Sequence, residues 1–221
     1  MREFGFEVMA IPGNEALATL HRLRGENRGY PVLLGDSDSV LALSENLQDV
    51  EDSVQDLIDN AAKLNPRSWL VARAKNDSEY YRAPRGEWPD DEEPSEGLIS
   101  HLDLSTGKPL EKVYIGLVPT EESWQVPCYL KMGGWNECPF PEVHASLFRK
   151  WEEEYGAKVV AITSSTVEFE VSRPPTTRDE AITLAKEQYV YCIDIVEQGT
   201  ETIEQLAASL LNGSTWFFWW D

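Results

Sequence analysis

The sequence is poor in basic residues. Its 221 residues carry 19 lysines and arginines against 39 aspartates and glutamates, a formal net charge of −20. A negative field of this size repels phosphate backbones and anionic lipid, so neither nucleic acid nor a membrane surface is an expected partner. A basic protein partner is compatible with the charge, and the ordinary alternative is that the charge provides solubility.

Paired cysteines, long apolar runs and an apolar leader are also missing. The three cysteines, Cys128, Cys138 and Cys192, form no close pair, which favours free thiols in a reducing compartment over a disulfide framework. The longest apolar block, WFFWW at 216–220, is far shorter than the roughly 20 residues of a membrane helix. Charged residues interrupt the start of the chain, where a signal peptide would be apolar. We therefore expect a cytoplasmic protein.

The sequence signatures of nucleotide binding and of common hydrolases are absent as well. No Walker-type loop and no GxGxxG, GxSxG or HExxH pattern occurs. Each of these patterns places glycine, nucleophile or metal ligands at a spacing that the chemistry requires. The sequence therefore predicts neither a cofactor nor a metal.

Apolar residues are plentiful, at 42% of the chain with 8 Trp, 8 Tyr and 7 Phe, so a buried core is expected. The segment APRGEWPDDEEPSEG at 83–97 is instead rich in proline, glycine and acid, which is typical of a linker or exposed loop. We predict a small α/β unit at 1–75, an acidic linker or loop at 76–112, and an α+β domain at 113–221.

Hydrophobic spacing and capping residues predict the elements of the N-terminal half. In order, we expect a strand in FGFEVMAI, a helix capped by Asn14, a strand YPVLL ended by Gly35, a short helix at 38–46, a helix opened by Ser53 and Asp56, and a strand WLVARA at 69–74.

The C-terminal half has the clearer pattern. In order, we expect a strand WQVPCYL, a helix from Pro141 to Gly156, strands KVVAI and TVEFEV, a helix opened by a capping box of Thr177 and Glu180, a helix stopped by Gly213, and a strand TWFFWW. This order predicts a ferredoxin-like βαββαβ domain. Because the last strand is apolar on both faces, we expect the N-terminal unit to pack on it as cover.

Several motifs of the C-terminal half occur together and in order: GGWNECPFPEVH, WEEEYGAKVVAIT, RPPTTRDEAITLAKEQYVYC, DIVEQGT and WFFWWD. Together they resemble the bacterial domain-of-unknown-function family 4253, over about residues 113–221. The N-terminal YPVLLGD resembles a segment often placed ahead of that domain. The resemblance implies a bacterial cytoplasmic protein with no established activity.

The stretch GGWNECPFPEVH, 133–144, contains the main candidate site. Cys138 and His144 form a possible nucleophile and base, and Asp194 could complete the set if the fold brings it close. Zinc is a weaker alternative, because zinc sites need three or four ligands. The structural alternative is a tight turn followed by a helix whose face includes a half-buried histidine. We expect binding residues around this site at Trp135, Asn136, Glu142 and Gln198.

Two other patterns have competing interpretations. Asp36 and Asp38 follow a strand at the spacing that haloacid-dehalogenase-like phosphatases use, but no convincing later acidic pair to hold Mg²⁺ is present, and we favour an acidic helix start. The aromatic WFFWWD could stack sugars or bases, and in a chain this acidic we favour core packing.

The function that fits best is a non-enzymatic protein-interaction module of immunity-protein type, which would neutralise a basic partner. This analogy depends on acidic composition and on the missing catalytic motifs. The alternative is an enzyme, a thiol-based or metal-assisted hydrolase, that uses Cys138, His144 and Asp194.

Overall fold

The computed structural model describes residues 4–76, 82–91 and 93–220 and has an α+β architecture. Six strands form one mixed sheet, and two short strands form a separate hairpin. The strands are β1 Glu7–Ile11, β2 Tyr30–Gly35, β3 Leu102–Asp103, β4 Lys108–Pro109, β5 Val113–Val118, β6 Ala157–Ile162, β7 Thr166–Val171 and β8 Thr215–Trp219. The order in the sheet is β1-β5-β2-β6-β7-β8, with β2 and β6 parallel and the other neighbours antiparallel.

Helices flank both faces of this sheet. They are α1 Ala16–Arg24, α2 Ser37–Asp49, α3 Val54–Lys63, α4 Pro66–Asn76, α5 Val126–Leu130, α6 Pro141–Tyr155, α7 Arg178–Tyr191 and α8 Ile203–Leu210. Short 3-10 turns lie at Gly13–Glu15 and Ser123–Gln125, and a π-helical turn lies at Ile195–Thr200. In the part of the chain that the structure describes, no helix combines the length and the apolar character needed to cross a bilayer.

Capping residues read from the sequence begin three of the helices. The Asp36 carboxylate accepts a hydrogen bond from the Ser39 amide at 2.9 Å, as the helix-start interpretation of Asp36 and Asp38 predicts. Ser53 caps α3 in the same way, and Thr177 forms the predicted capping box at α7. Because each side chain satisfies an amide that lacks an intrahelical partner, the start of the helix is fixed locally.

Three predictions in these regions are wrong. WLVARA at 69–74 lies within helix α4, because Asn65 caps the chain through the Ser68 amide and Pro66 occupies the first helical position. WQVPCYL at 124–130 forms a 3-10 turn and then α5, where Pro127 again fits a first turn. Asn14 lies inside a 3-10 turn, and Glu15 occupies the N-cap position of α1.

The ferredoxin-like arrangement of the C-terminal half is also not what the structure contains. In that arrangement the four C-terminal strands would form a sheet of their own, whereas β2 lies between β5 and β6. All six residues of Tyr30–Gly35 are buried, as expected for a strand with neighbours on both sides and both faces covered. The N-terminal half therefore contributes strands to the sheet itself, where we had expected it to pack on the sheet as cover.

One face of the sheet is covered by α6 and α7 and carries a set of packed rings that we call the aromatic core. Its members are Phe148, Trp151, Phe169, Tyr191, Trp216, Phe218 and Trp220. Trp151 stacks on Phe218 with ring centroids 5.7 Å apart and an angle of 2° between the planes. Phe217 and Trp219 point to the opposite face and are half-buried. The core interpretation of WFFWW therefore holds fully for one face of β8 and in part for the other.

Candidate functional site

The structure brings Cys138 and His144 together in a group that we call the Cys–His cluster. The Cys138 Sγ atom lies 3.4 Å from His144 Nε2, and His144 Nδ1 lies 2.6 Å from the hydroxyl oxygen of Tyr191. Cys138 belongs to the connection between α5 and α6, His144 to the first turns of α6, and Tyr191 to the end of α7. The cluster therefore joins two helices at the edge of the aromatic core, where His144 contacts Trp220.

The glycines of the stretch are required by this close packing. Gly133 has φ of 101°, in the region that favours glycine, and a Cβ there would lie 1.8 Å from the Pro139 carbonyl oxygen and 2.8 Å from His144 Nε2. Pro141 occupies the start of α6. The stretch is thus a rigid turn that delivers Cys138 and His144 to the interior.

Burial determines the protonation of both side chains. Removal from water, and then the positive charge of Arg73, lowers the pKa of His144 to about 3, so the imidazole is neutral near pH 7. The nearby Pro139 carbonyl acts in the opposite direction, because it favours the protonated ring, and it does not outweigh burial. A neutral imidazole has one donor and one acceptor nitrogen, and the Tyr191 hydroxyl is the partner of Nδ1.

The same burial keeps the thiol protonated. Loss of hydration raises the pKa of Cys138 far above its usual range, and raises the pKa of Cys192 to about 12. A catalytic cysteine needs its thiolate and a route for the substrate. Cys138 is 5% exposed and His144 is fully enclosed, so this conformation offers neither.

The other predicted site residues lie in different settings. Asp194 is half-buried, precedes the π-helical turn and accepts a hydrogen bond from Gln198 Nε2 at 3.2 Å. Trp135 packs against the core, and Glu142 lies in the first turn of α6. Asn136 is exposed, with a left-handed φ of 46°. The set thus divides into a buried pair and residues at or near the surface.

The described residues contain no group of three or more histidine, cysteine, aspartate or glutamate side chains arranged to hold a metal ion. The polar groups nearby have partners within the protein. His144 pairs with Cys138 and Tyr191, and Cys192 donates its thiol hydrogen to the Trp219 carbonyl at 2.9 Å.

A second candidate site is the acidic segment, which we define as residues 82–91 and 93–98. Near its start, the Gly86 amide donates to the Glu204 carboxylate at 2.7 Å, and the Ile203 amide donates to the Pro84 carbonyl at 2.9 Å. Arg85 forms an ion pair with Glu204. These contacts attach the start of the segment to the beginning of α8.

The other end of the segment is attached through Ser95. Its amide donates to the Ser209 carbonyl at 2.7 Å, and its carbonyl accepts from the Ser214 amide at 2.9 Å. Between the two attachments, Trp88 lies under the guanidinium of Arg178, 4.5 Å from the ring centroid. The segment, predicted as a linker or exposed loop, therefore lies along the C-terminal half.

The acids of this segment face solvent. The described ones are Glu87, Asp90, Asp91, Glu93 and Glu96, and all of them are exposed. Sequence reasoning identified the charge of the segment but missed its attachment residues, Arg85 and Glu204. A weak sequence signal exists for Glu204, since it is the one charged residue of the mainly apolar helix α8.

Residues 114–221 match the model of a family described as Domain of unknown function (DUF4253). The C-terminal half of the chain belongs to this family. The DUF4253 domain supplies β5 through β8 and the whole Cys–His cluster, while β1 and β2 of the N-terminal half pair on either side of β5. No curated protein and no solved structure matches the chain.

Proposed function

We propose that the chain is a non-enzymatic interaction protein of the bacterial cytoplasm that binds a basic protein through its acidic segment. The observation that supports this proposal is the double attachment of the segment, by Pro84 and Gly86 at one end and Ser95 at the other, with its carboxylates in solvent. An immunity-like role, in which binding neutralises a toxic protein, is the specific form that we favour.

Attachment matters because a flexible acidic loop would lose conformational freedom on binding. Ordering interface residues opposes association, and a segment that is already fixed avoids much of that cost. The carboxylates also act at a distance, since complementary charge accelerates encounter and is weakened by salt. The proposal therefore predicts fast, salt-sensitive binding.

The enzyme alternative has one observation in its favour, the 3.4 Å contact between Cys138 and His144. A thiol-based hydrolase would need this pair to open to solvent, so that the thiol could lose its proton to the imidazole. Burial and the raised pKa of Cys138 favour a structural contact instead.

The proposal is tested by capture from the native bacterium with the tagged full chain, followed by mass spectrometry and by binding measurements with the purified partner. The test variant replaces three segment acids, Asp90→Asn, Asp91→Asn and Glu93→Gln. The control replaces three exposed acids of the N-terminal half, Glu15→Gln, Glu45→Gln and Asp52→Asn, with the same change in net charge.

We expect a basic partner whose affinity falls at least tenfold with the segment variant and falls as salt rises, while the control variant binds like the wild type. An equal loss of affinity in both variants would show that net charge, and not the acidic segment, determines binding. A partner with a toxic activity that the chain inhibits would support the immunity-like form. A partner indifferent to all six substitutions would contradict the use of the segment.

A further inference from the structure

A cleft of about 600 Å³ opens at the end of the sheet where β2 and β6 begin. Tyr30 and Pro31 of β2, with Pro119 beyond β5, contribute to its lining. The loop between α1 and β2 and the first residues of β6 complete it. This volume lies within the range of sites that hold small molecules, which is roughly 300 to 1,000 Å³. The cleft is separate from the acidic segment, which does not contribute to the described lining.

The charge of the lining is the reverse of that of the chain. The described lining residues include three cations, Arg24, Arg28 and Lys158, and one carboxylate, Glu121. In the whole chain acids outnumber bases by 39 to 19. Three cations therefore converge on one cleft, and each is paired with a carboxylate that is not part of the described lining.

The loop that carries two of the polar lining residues has a defined shape. Asn27 has a left-handed φ of 49°, and Gly29 has φ of 122°. A Cβ at Gly29 would lie 2.6 Å from the Val118 carbonyl oxygen, so only glycine permits this approach to β5. The turn thus places Arg28 and the Asn27 amide at the mouth of the cleft in a fixed arrangement.

The cations have donors to offer to a ligand. Arg24 forms an ion pair with Glu170 through Nη1, while its Nη2 is enclosed and makes no hydrogen bond to any residue that the structure describes. An enclosed donor without an acceptor is unfavourable, and a small rotation of the guanidinium toward a bound oxygen would satisfy it.

The partners of the other two cations are exchangeable. Arg28 pairs with Glu7 at 2.7 Å and Glu26 at 3.3 Å, and about half of its side chain is exposed. Lys158 lies 3.4 Å from Glu152 and is more exposed still. Surface ion pairs of this kind contribute little to stability, so a ligand with several anionic oxygens can replace them.

We infer that the Arg24–Arg28–Lys158 cleft binds a small molecule with two or more clustered anionic oxygens, such as a phosphorylated or polycarboxylate metabolite. Arginine guanidinium groups match the planar, two-oxygen geometry of phosphate and carboxylate, and lysine adds a point charge. The inference is independent of the proposed protein partner, because the two sites share no lining residue among those described.

The test is isothermal titration calorimetry of the purified full chain with pyrophosphate, inorganic phosphate and citrate at fixed ionic strength. The cleft variant is Arg28→Gln with Lys158→Gln. The control is Lys75→Gln with Lys112→Gln, which removes two exposed cations outside the cleft. Circular dichroism and thermal unfolding establish that both variants are folded.

We expect saturable one-to-one binding of pyrophosphate or citrate to the wild type and the control, weakened at least tenfold in the cleft variant. Preference for pyrophosphate would assign phosphorylated ligands, and preference for citrate would assign polycarboxylates. Absence of saturable binding by all three probes at millimolar concentration would overturn the inference. Equal weakening in the control would also overturn it, since the effect would then come from overall charge.

Discussion

The Cys–His cluster and the acidic segment differ in what surrounds their polar groups. In the cluster, Cys138 and His144 have reactive side chains but are enclosed by α6, α7 and the aromatic core. In the acidic segment, ordinary carboxylates lie in solvent, while the backbone is attached at Pro84, Gly86 and Ser95.

This difference shows that burial decides which side chains can act on another molecule. A thiol beside an imidazole is a catalytic pair only if water, substrate and charge can reach it. Carboxylates need no special chemistry to attract a cationic surface, but they gain from a fixed backbone. Location therefore favours binding by the segment over catalysis by the cluster.

The largest effect is expected from removing a ring of the aromatic core that packs against Tyr191 of the cluster. Trp151→Ala should lower the free energy of unfolding by about 3–5 kcal/mol, because a fully buried ring is replaced by a cavity among Phe218, Tyr191 and Trp216. Urea unfolding measures the change. Trp151→Phe is the control and should cost clearly less. A loss below 1 kcal/mol for the alanine variant would mean that this side of the molecule is loosely packed.

A smaller effect, on the pH dependence of stability, distinguishes a neutral, buried His144 from a solvent-accessible base. The folded pKa is about 3 against an unfolded value near 6.5, so the unfolded state binds the extra proton between these values. The contribution of the neutral, buried His144 to the free energy of unfolding is therefore fully present above pH 6.5, and it is lost as the pH falls toward 3.

The comparison is wild type against His144→Gln, with unfolding free energies measured at pH 6.5 and 5. The wild type should lose roughly 1–2 kcal/mol more than the variant over this interval, whatever the absolute stability of the variant. Identical pH slopes would show that His144 titrates alike in the folded and unfolded states, contrary to its burial.

The smallest effect tests the attachment of the acidic segment. Glu204→Gln keeps an acceptor but removes the charge that pairs with Arg85, so a loss of about 1 kcal/mol is expected. Amide hydrogen exchange at Gly86 should accelerate, because its acceptor is weakened. Glu201→Gln, at an exposed position before α8, is the control. Unchanged exchange at Gly86 would mean that other contacts hold the segment.

Much of the secondary structure is predictable because its signals are local. The capping box at Thr177, the Asp36 cap and the Pro141 and Gly156 boundaries of α6 each depend on residues within a few positions. Strand order is different, because it depends on contacts far apart in sequence. The only sequence signal for the insertion of β2 between β5 and β6 is the short apolar run YPVLL, and such a run also suits a separate α/β unit.

The candidate site was likewise predictable only where it depends on residues close together in the sequence. The spacing of Cys138 and His144 indicated a shared turn, and they do meet. Their depth could not be predicted, because it follows from Tyr191 and Trp220, which come from distant elements. The attachment of the acidic segment was hidden for the same reason, since Glu204 lies 118 positions from Gly86.

The most direct test of the account is the alkylation rate of Cys138 in the native full chain. This rate is measured near pH 7 by iodoacetamide labelling and peptide mass spectrometry. We predict that native Cys138 is alkylated at least about a hundredfold more slowly than the same cysteine in the urea-unfolded chain. The His144→Gln substitution should change this rate only as far as it changes the unfolding of the chain. Rapid labelling of native Cys138 that is lost with His144→Gln would contradict the account and identify an activated thiol.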